Sequence, residues 1–201
     1  MARSGPMSVP DDRPEPWYHA GWRVVVALAA VALLGFGLGL FAGSRDDVPG
    51  ADSVDVVFLQ EMRRHHDQAT EMAVLLLDRP DADPMLRLIA VEILAGQQLE
   101  SGLMIQLLRS WGHAEQTDDD DASLMPGMAT EEEMDALRTA TGVEGDRLFI
   151  TLMSAHHRGG IDMARDAVER AERREVRRLA QGMIDGQTAD LVELNGVMER
   201  L

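Results

Sequence analysis

The sequence predicts an all-α protein: an antiparallel four-helix bundle made of two repeated helix hairpins, preceded by one N-terminal transmembrane helix. Three observations carry that expectation. The segment Asp55-Val-Val-Phe58-Leu-Gln-Glu-Met62-Arg-Arg-His65-His66-Asp-Gln-Ala69-Thr-Glu-Met72-Ala73 returns at an offset of 91 as Asp146-Arg-Leu-Phe149-Ile-Thr-Leu-Met153-Ser-Ala-His156-His157-Arg-Gly-Gly160-Ile-Asp-Met163-Ala164. A second pattern returns at an offset of 90, where Leu94, Gln97, Glu100, Met104 and Leu107 match Ile184, Gln187, Asp190, Leu194 and Val197. Finally, Val24 to Gly43 is a run of 20 uncharged, mostly apolar residues, long enough as a helix to span the hydrocarbon core of a bilayer.

Residues 1–22 hold Pro6, Pro10, Pro14 and Pro16 among mixed charges and read as a disordered cytoplasmic tail. Residues 23–43 are the anchor, opened by Trp22-Arg23 and closed by Ser44-Arg45-Asp46-Asp47. The run is longer than a usual signal h-region, which favours an uncleaved anchor, while Ala42-Gly43-Ser44 leaves cleavage open. Arg3, Arg13 and Arg23 precede it, so the positive-inside tendency puts residues 45–201 outside the cytoplasm. Residues 44–51 form a linker with Pro49-Gly50, and the exported domain occupies 52–201, with repeats at about 52–112 and 143–201.

Within that domain Asp52-Ser53 offers an N-cap for a first helix to about Leu77. Asp83-Pro84 starts a second, with Pro at the first helical position, running to about Trp111. A loop from His113 to Ala129 follows, and Thr130-Glu-Glu-Glu133 has the form of a capping box for a short helix to about Ala140. Gly142 and Gly145 break the chain before a third long helix to about Arg170, and a fourth fills the C-terminus. The repeat requires a turn within Glu169-Arg-Ala-Glu-Arg-Arg-Glu175, yet that stretch has no Gly or Pro and local propensity would keep it helical. Short connections make each hairpin antiparallel, and two hairpins give a bundle.

Composition narrows the function. The chain has 201 residues, no Cys, 13 Met and a net charge of −16. Residues 1–44 carry three Arg and three acids, so the whole excess of negative charge belongs to the exported part. Such a surface repels nucleic acid and anionic lipid head groups. Every basic residue is Arg.

On a helix advancing about 100° per residue, Asp55, Phe58, Met62, His65, His66, Ala69, Met72 and Ala73 share one face, and the second copy behaves alike. The histidines therefore lie on the face that packs, with Met62 one turn from His65 and His66 and Met153 one turn from His156 and His157. Imidazole mixed with thioether favours copper, Cu(I) above all, whereas zinc would usually draw on Cys or carboxylate. Adjacent histidines point about 100° apart. Each half therefore holds its own ion, or one residue of each pair meets its counterpart across the pseudo-two-fold axis. Gln97 with Glu100, and Gln187 with Asp190, are spaced to hydrogen-bond the second imidazole nitrogens; a solvent-facing polar pair is the plain alternative.

The Met-x-x-His-His-x-x-Ala/Gly-x-x-Met helix, the Gln-x-x-Glu/Asp helix and the loop Met125-Pro126-Gly127-Met128 together resemble the domain-of-unknown-function 305 family (DUF305), whose characterised relatives are CopM-like periplasmic copper-binding proteins. The resemblance covers roughly residues 52–199. It implies a ferritin-like four-helix bundle and a metal, copper first, at Met62, His65, His66, Met72, Met153, His156, His157 and Met163. It also implies Met125 and Met128 as accessory ligands, beside the plain reading of that loop as a Pro-Gly turn. The chain departs from the pattern at Gly159-Gly160, where the first copy has Gln68-Ala69, and at Leu194, where it has Met104. The double glycine either makes room for close packing or loosens the site.

The expected function is a membrane-anchored extracytoplasmic metal-binding protein that sequesters or transfers copper, with affinity falling below about pH 6 as imidazole protonates. Two other classes stand beside it. One is an envelope structural or interaction module with hydrogen-bonded core histidines. The other is a ferritin-like di-iron oxidase, which would need inward Glu and Glu-x-x-His pairs; Glu61 lies off the shared face four residues before His65, and its counterpart is Leu152. No enzyme is expected.

Overall fold

The computed structural model describes residues 48–115 and 125–201. The expected tail, the membrane anchor, His19, the first half of the linker and the acidic stretch Asp118 to Asp121 lie outside the described residues. Among the described residues there are five helices and no strand: α1 (Val54–Leu77), α2 (Pro84–Ser110), α3 (Glu131–Thr139), α4 (Gly142–Arg170) and α5 (Arg174–Met198).

The helix starts follow the local signals. Ser53 Oγ accepts from the Val56 amide at the head of α1. The Asp83 carboxylate accepts from the Met85 and Leu86 amides at 2.8 and 3.1 Å, with Pro84 at the first position of α2. Thr130 and Glu133 cap each other reciprocally at α3. Each of these bonds satisfies a donor that the helix itself leaves without a partner.

α1 and α2 form one antiparallel hairpin and α4 and α5 the other; these two pairs have the most extensive contacts, followed by α1 against α4. The shared interior contains Met72, Ala73, Leu76, Leu86, Ile89, Ile93, Phe149, Ile150, Met153 and Leu194, all nearly or fully inaccessible. α2 is long and apolar enough, by length and composition, to cross a bilayer. Its Leu86, Ile89, Ala90 and Ile93 nevertheless belong to this core.

The turn after Arg170 is present, spanning residues 171–173. Its cause is remote in sequence. The buried Asp55 carboxylate, from the start of α1, accepts from the amides of Glu172 and Arg173 at 3.1 and 2.8 Å. Arg177 then donates to the carbonyls of Ala171 and Glu172 at 2.5 and 2.8 Å. The other hairpin has the same arrangement. Buried Asp146, at the start of α4, accepts from the Asp83 amide at 3.1 Å and pairs with Arg79 at 3.1 Å. Arg87 donates to the carbonyls of Leu77 and Arg79. Each hairpin turn is thus held by a carboxylate of the opposite hairpin.

Replacing Asp55 with Ala leaves the part-buried amides of Glu172 and Arg173 without their acceptor, at about 1–2 kcal/mol each. Urea unfolding of Asp55→Ala should show a loss of about 2–4 kcal/mol, while Asp78→Ala, at an exposed position, should lie within about 0.5 kcal/mol of the parent.

A candidate metal centre of paired histidines

All four histidines of the repeat are fully inaccessible to solvent. His65 on α1 and His156 on α4 meet across the interface between the two hairpins, with ring centroids 3.7 Å apart and planes tilted by 33°. His156 and His157 stand 6.2 Å apart. His66 and His157 instead turn towards the second helix of their own hairpins. The adjacent members of each pair therefore serve different surroundings, and one residue of each pair meets its counterpart across the middle of the molecule.

Every Nε2 has a partner. That of His65 lies 3.0 Å from the Pro126 carbonyl, and that of His156 lies 2.9 Å from the His65 carbonyl. A carbonyl oxygen can only accept, so both imidazoles carry their proton on Nε2. His66 Nε2 lies 2.7 Å from Glu100 and His157 Nε2 lies 3.0 Å from Asp190, and these carboxylates favour the same tautomer. All four Nδ1 atoms are buried and without a hydrogen-bond partner. With the proton on Nε2, each Nδ1 presents a lone pair to the interior. These unpartnered nitrogens lie in a dry setting, but among the described residues no three or more His, Asp or Glu side chains converge as a group that could hold one metal ion.

Burial keeps His65 and His156 neutral. Desolvation drives His65 down from 6.5 to about 4, opposed by its bond to Pro126 and reinforced by the neighbouring histidines. Desolvation also drives His156 well below the ordinary value, with His65 as the next contributor. Two cationic rings in near contact would repel each other in a medium that screens poorly.

The sulfur atoms fall into three groups. Met62 and Met153 are fully buried one turn before their histidines. Met72 is fully buried in the apolar core, nearly two turns beyond His66, a rise of about 9 Å. Met163, equally far beyond His157, is half-buried and lines a surface groove with Phe58. The helix rise thus brings Met62 and Met153 to the histidine layer and sets Met72 and Met163 apart from it.

Met125-Pro126-Gly127-Met128 is a turn, with Gly127 at φ 77° and the Met128 amide facing the Met125 carbonyl. Met125 is buried and Met128 half-buried. The turn also reaches into the centre through the Pro126 carbonyl, a role that no residue of the Met-Pro-Gly-Met string announces. Gly159 admits it: a Cβ there would fall on the Pro126 carbonyl. Gly160 likewise admits the Gln187 side chain. The double glycine therefore serves close approach. Glu100 and Asp190 bond the imidazoles, whereas Gln97 and Gln187, also buried, do not; Gln97 Oε1 and both side-chain polar atoms of Gln187 have no hydrogen-bond partner. Elsewhere, Gln60 and Arg63 hold the carbonyls of Ala114 and Glu115, and His113 Nε2 meets the Pro49 carbonyl at 2.7 Å.

The sequence model of a domain of unknown function, DUF305, matches residues 55–198. Among solved structures, a DUF305 protein of Streptomyces coelicolor, described as a putative secreted protein, is similar at 35% identity with a TM-score of 0.69, covering 75% of this chain and 95% of that one. A DUF305 fragment from Deinococcus radiodurans is similar at 31% identity, also with a TM-score of 0.69, covering 76% and 100%. CopM in its Cu(I)-bound form is similar at 26% identity with a TM-score of 0.61, covering 73% and 96%, and the same protein has Cu(II)-bound and Ag-bound forms. No curated protein matches the sequence.

Two outcomes follow from the geometry. Unfolded imidazole takes up a proton near pH 6.5, whereas folded His65 does so only near 4. The stability that neutral His65 supplies is therefore complete above about pH 6.5, declines as the pH drops and is gone below about 4. The slope is up to about 1.4 kcal/mol per pH unit for each such ring. Urea titrations from pH 7.5 to 5 should show this decline, and a flat profile would contradict the buried neutral rings. Separately, Gly159→Ala should cost about 1–3 kcal/mol through overpacking and break the His65–Pro126 bond, read as loss of the protected His65 Nε2–H resonance. Gly96→Ala, with open space at the added carbon, should be neutral or stabilising by up to about 1 kcal/mol.

Proposed function

The chain belongs to the DUF305 family, and from that premise we propose that it is a membrane-anchored extracytoplasmic protein that binds Cu(I) for sequestration or transfer. One observation carries the reading: four buried imidazoles aim Nε2 at oxygen acceptors and leave Nδ1 buried without a partner. A purely structural role leaves those donors unexplained, since each unpaired polar atom in the interior costs about 1–3 kcal/mol. Soft monovalent copper suits neutral imidazole and thioether without requiring carboxylate. Likeness to CopM, at 26% identity, supports the same chemistry.

In this reading His65 and His156, with Met62 and Met153, are the central donors. His66 and His157 add donors within their own hairpins, oriented by Glu100 and Asp190. Met72 and Met163 extend the sulfur set away from the centre, and Met125 and Met128 are accessory. The four long helices form a ferritin-like bundle that arose by duplication of one hairpin, and residues 23–43 anchor it with the bundle outside. The protein is a binder and not an enzyme. A di-iron site would want Glu61 inward, but Glu61 lines the surface groove and Leu152, its counterpart, belongs to the core. Because burial holds His65 near 4, proton competition sets in at lower pH than for ordinary histidine.

A Cu(I) competition titration with a chromophoric chelator tests this. Replacing His65, His66, His156 and His157 with Ala, in protein shown to remain helical, should weaken binding at least about 100-fold. Glu100→Ala or Asp190→Ala should weaken it about 10–100-fold by releasing the ring orientation. Equal, weak binding by the parent and the four-histidine variant would remove the reading.

A further inference from the structure

The repeat places one groove between α1 and α4 at each end of their crossing. In the first, the chain supplies its own occupant. Met134 and Leu137 of α3 are buried in the cluster that includes Met72, Phe149 and Leu152, with Leu75 and Leu148 packed against it. Arg138 of α3 pairs with Glu71 at 2.9 Å. Shifting by the repeat offset, which also separates His65 from His156, turns Leu148, Phe149, Leu152, Glu71, Met72 and Leu75 into Val57, Phe58, Glu61, Asp162, Met163 and Asp166. These six residues line the second groove, a cleft of about 470 Å³. No described helix covers it as α3 covers the first.

The differences between the grooves specify the missing occupant. The aromatic and thioether floor is kept as Phe58 and Met163. Asp162 stands where Glu71 receives Arg138. Two leucines of the covered groove, Leu152 and Leu75, become Glu61 and Asp166, and Asp52 adds a further carboxylate against the single Arg170 of the lining. The ion pairs of Asp162 with Arg165 and of Asp166 with Arg170 are exposed, and such pairs contribute little enough to be exchanged. A second copy of this chain, at net charge −16, is the wrong occupant for an acidic cleft.

We propose that this groove docks a short basic amphipathic helix of a partner protein. The helix would present two apolar side chains three residues apart and a basic residue directly after the second, as Met134, Leu137 and Arg138 do in the covered groove. The proposal does not rest on metal binding, although Met163 belongs to both the groove floor and the outer sulfur set.

The probe is a labelled peptide of residues 130–140 carrying Glu131→Lys, Glu132→Lys, Glu133→Lys and Asp135→Lys, titrated by fluorescence anisotropy against the full chain in neutral detergent. Binding should weaken as salt rises. It should drop at least about ten-fold in Asp162→Arg/Asp166→Arg protein and change less than about three-fold in the control Glu92→Arg/Asp185→Arg, whose sites are exposed on α2 and α5. Replacing Met134 and Leu137 of the peptide with Ser should abolish it. Methyl and aromatic resonances of Met163 and Phe58 should shift on binding. Equal losses in both charge-reversed proteins, or shifts elsewhere with none at Met163 and Phe58, would overturn the proposal. So would concentration-dependent dimerisation that Asp162→Arg/Asp166→Arg removes, since that assigns the groove to a second copy.

Discussion

Four imidazoles in a dry interior must each find an acceptor for the Nε2 proton, and burial holds His65 and His156 neutral. The rest of the architecture is tied to that requirement. The acceptors come from four separate places: Pro126 in the loop before α3, Glu100 on α2, the His65 carbonyl on α1 and Asp190 on α5. Satisfying all four at once sets the register of both hairpins and seats the loop. Because His65 and His156 are 3.7 Å apart, a proton on either one would be felt by the other. A proton on one ring therefore disfavours a proton on its neighbour.

Much of this was readable in the sequence wherever the cause was local. Ser53, Asp83-Pro84 and the Thr130–Glu133 box marked helix starts because each cap acts within three residues. The periodic placement of His and Met marked the buried faces. The turn at residues 171–173 was visible only through the repeat, since its acceptor, Asp55, lies 117 and 118 residues from the amides it holds. Asp55 and Asp146 stood out as repeated positions, but nothing nearby assigned them a task. Gly159-Gly160 was legible as an anomaly, while its cause, the Pro126 carbonyl and the Gln187 amide, required three dimensions. Residues 97 and 187 look equivalent to Glu100 and Asp190 by spacing, yet only the carboxylates reach the imidazoles.

The two halves agree inside and diverge outside. Glu100 and Asp190 do the same work at 2.7 and 3.0 Å, and Arg87 and Arg177 close matching turns. By contrast, Leu75 and Leu152 lie under α3 whereas Asp166 and Glu61 face an open cleft. Only His65 is served by the Met-Pro-Gly-Met turn, and Gly159 of α4 is what admits it. Interior positions answer to a shared geometric demand. Exterior ones answer to whatever touches each end, so an internally repeated chain can become chemically polar from end to end.

The crossed carboxylates have a topological consequence. Asp55 secures the bend of the hairpin to which it does not belong, and Asp146 returns the favour. A hairpin excised from this chain would carry an anchor for a missing mate and a bend with nothing to hold it. Either fragment alone should remain frayed until it meets the other.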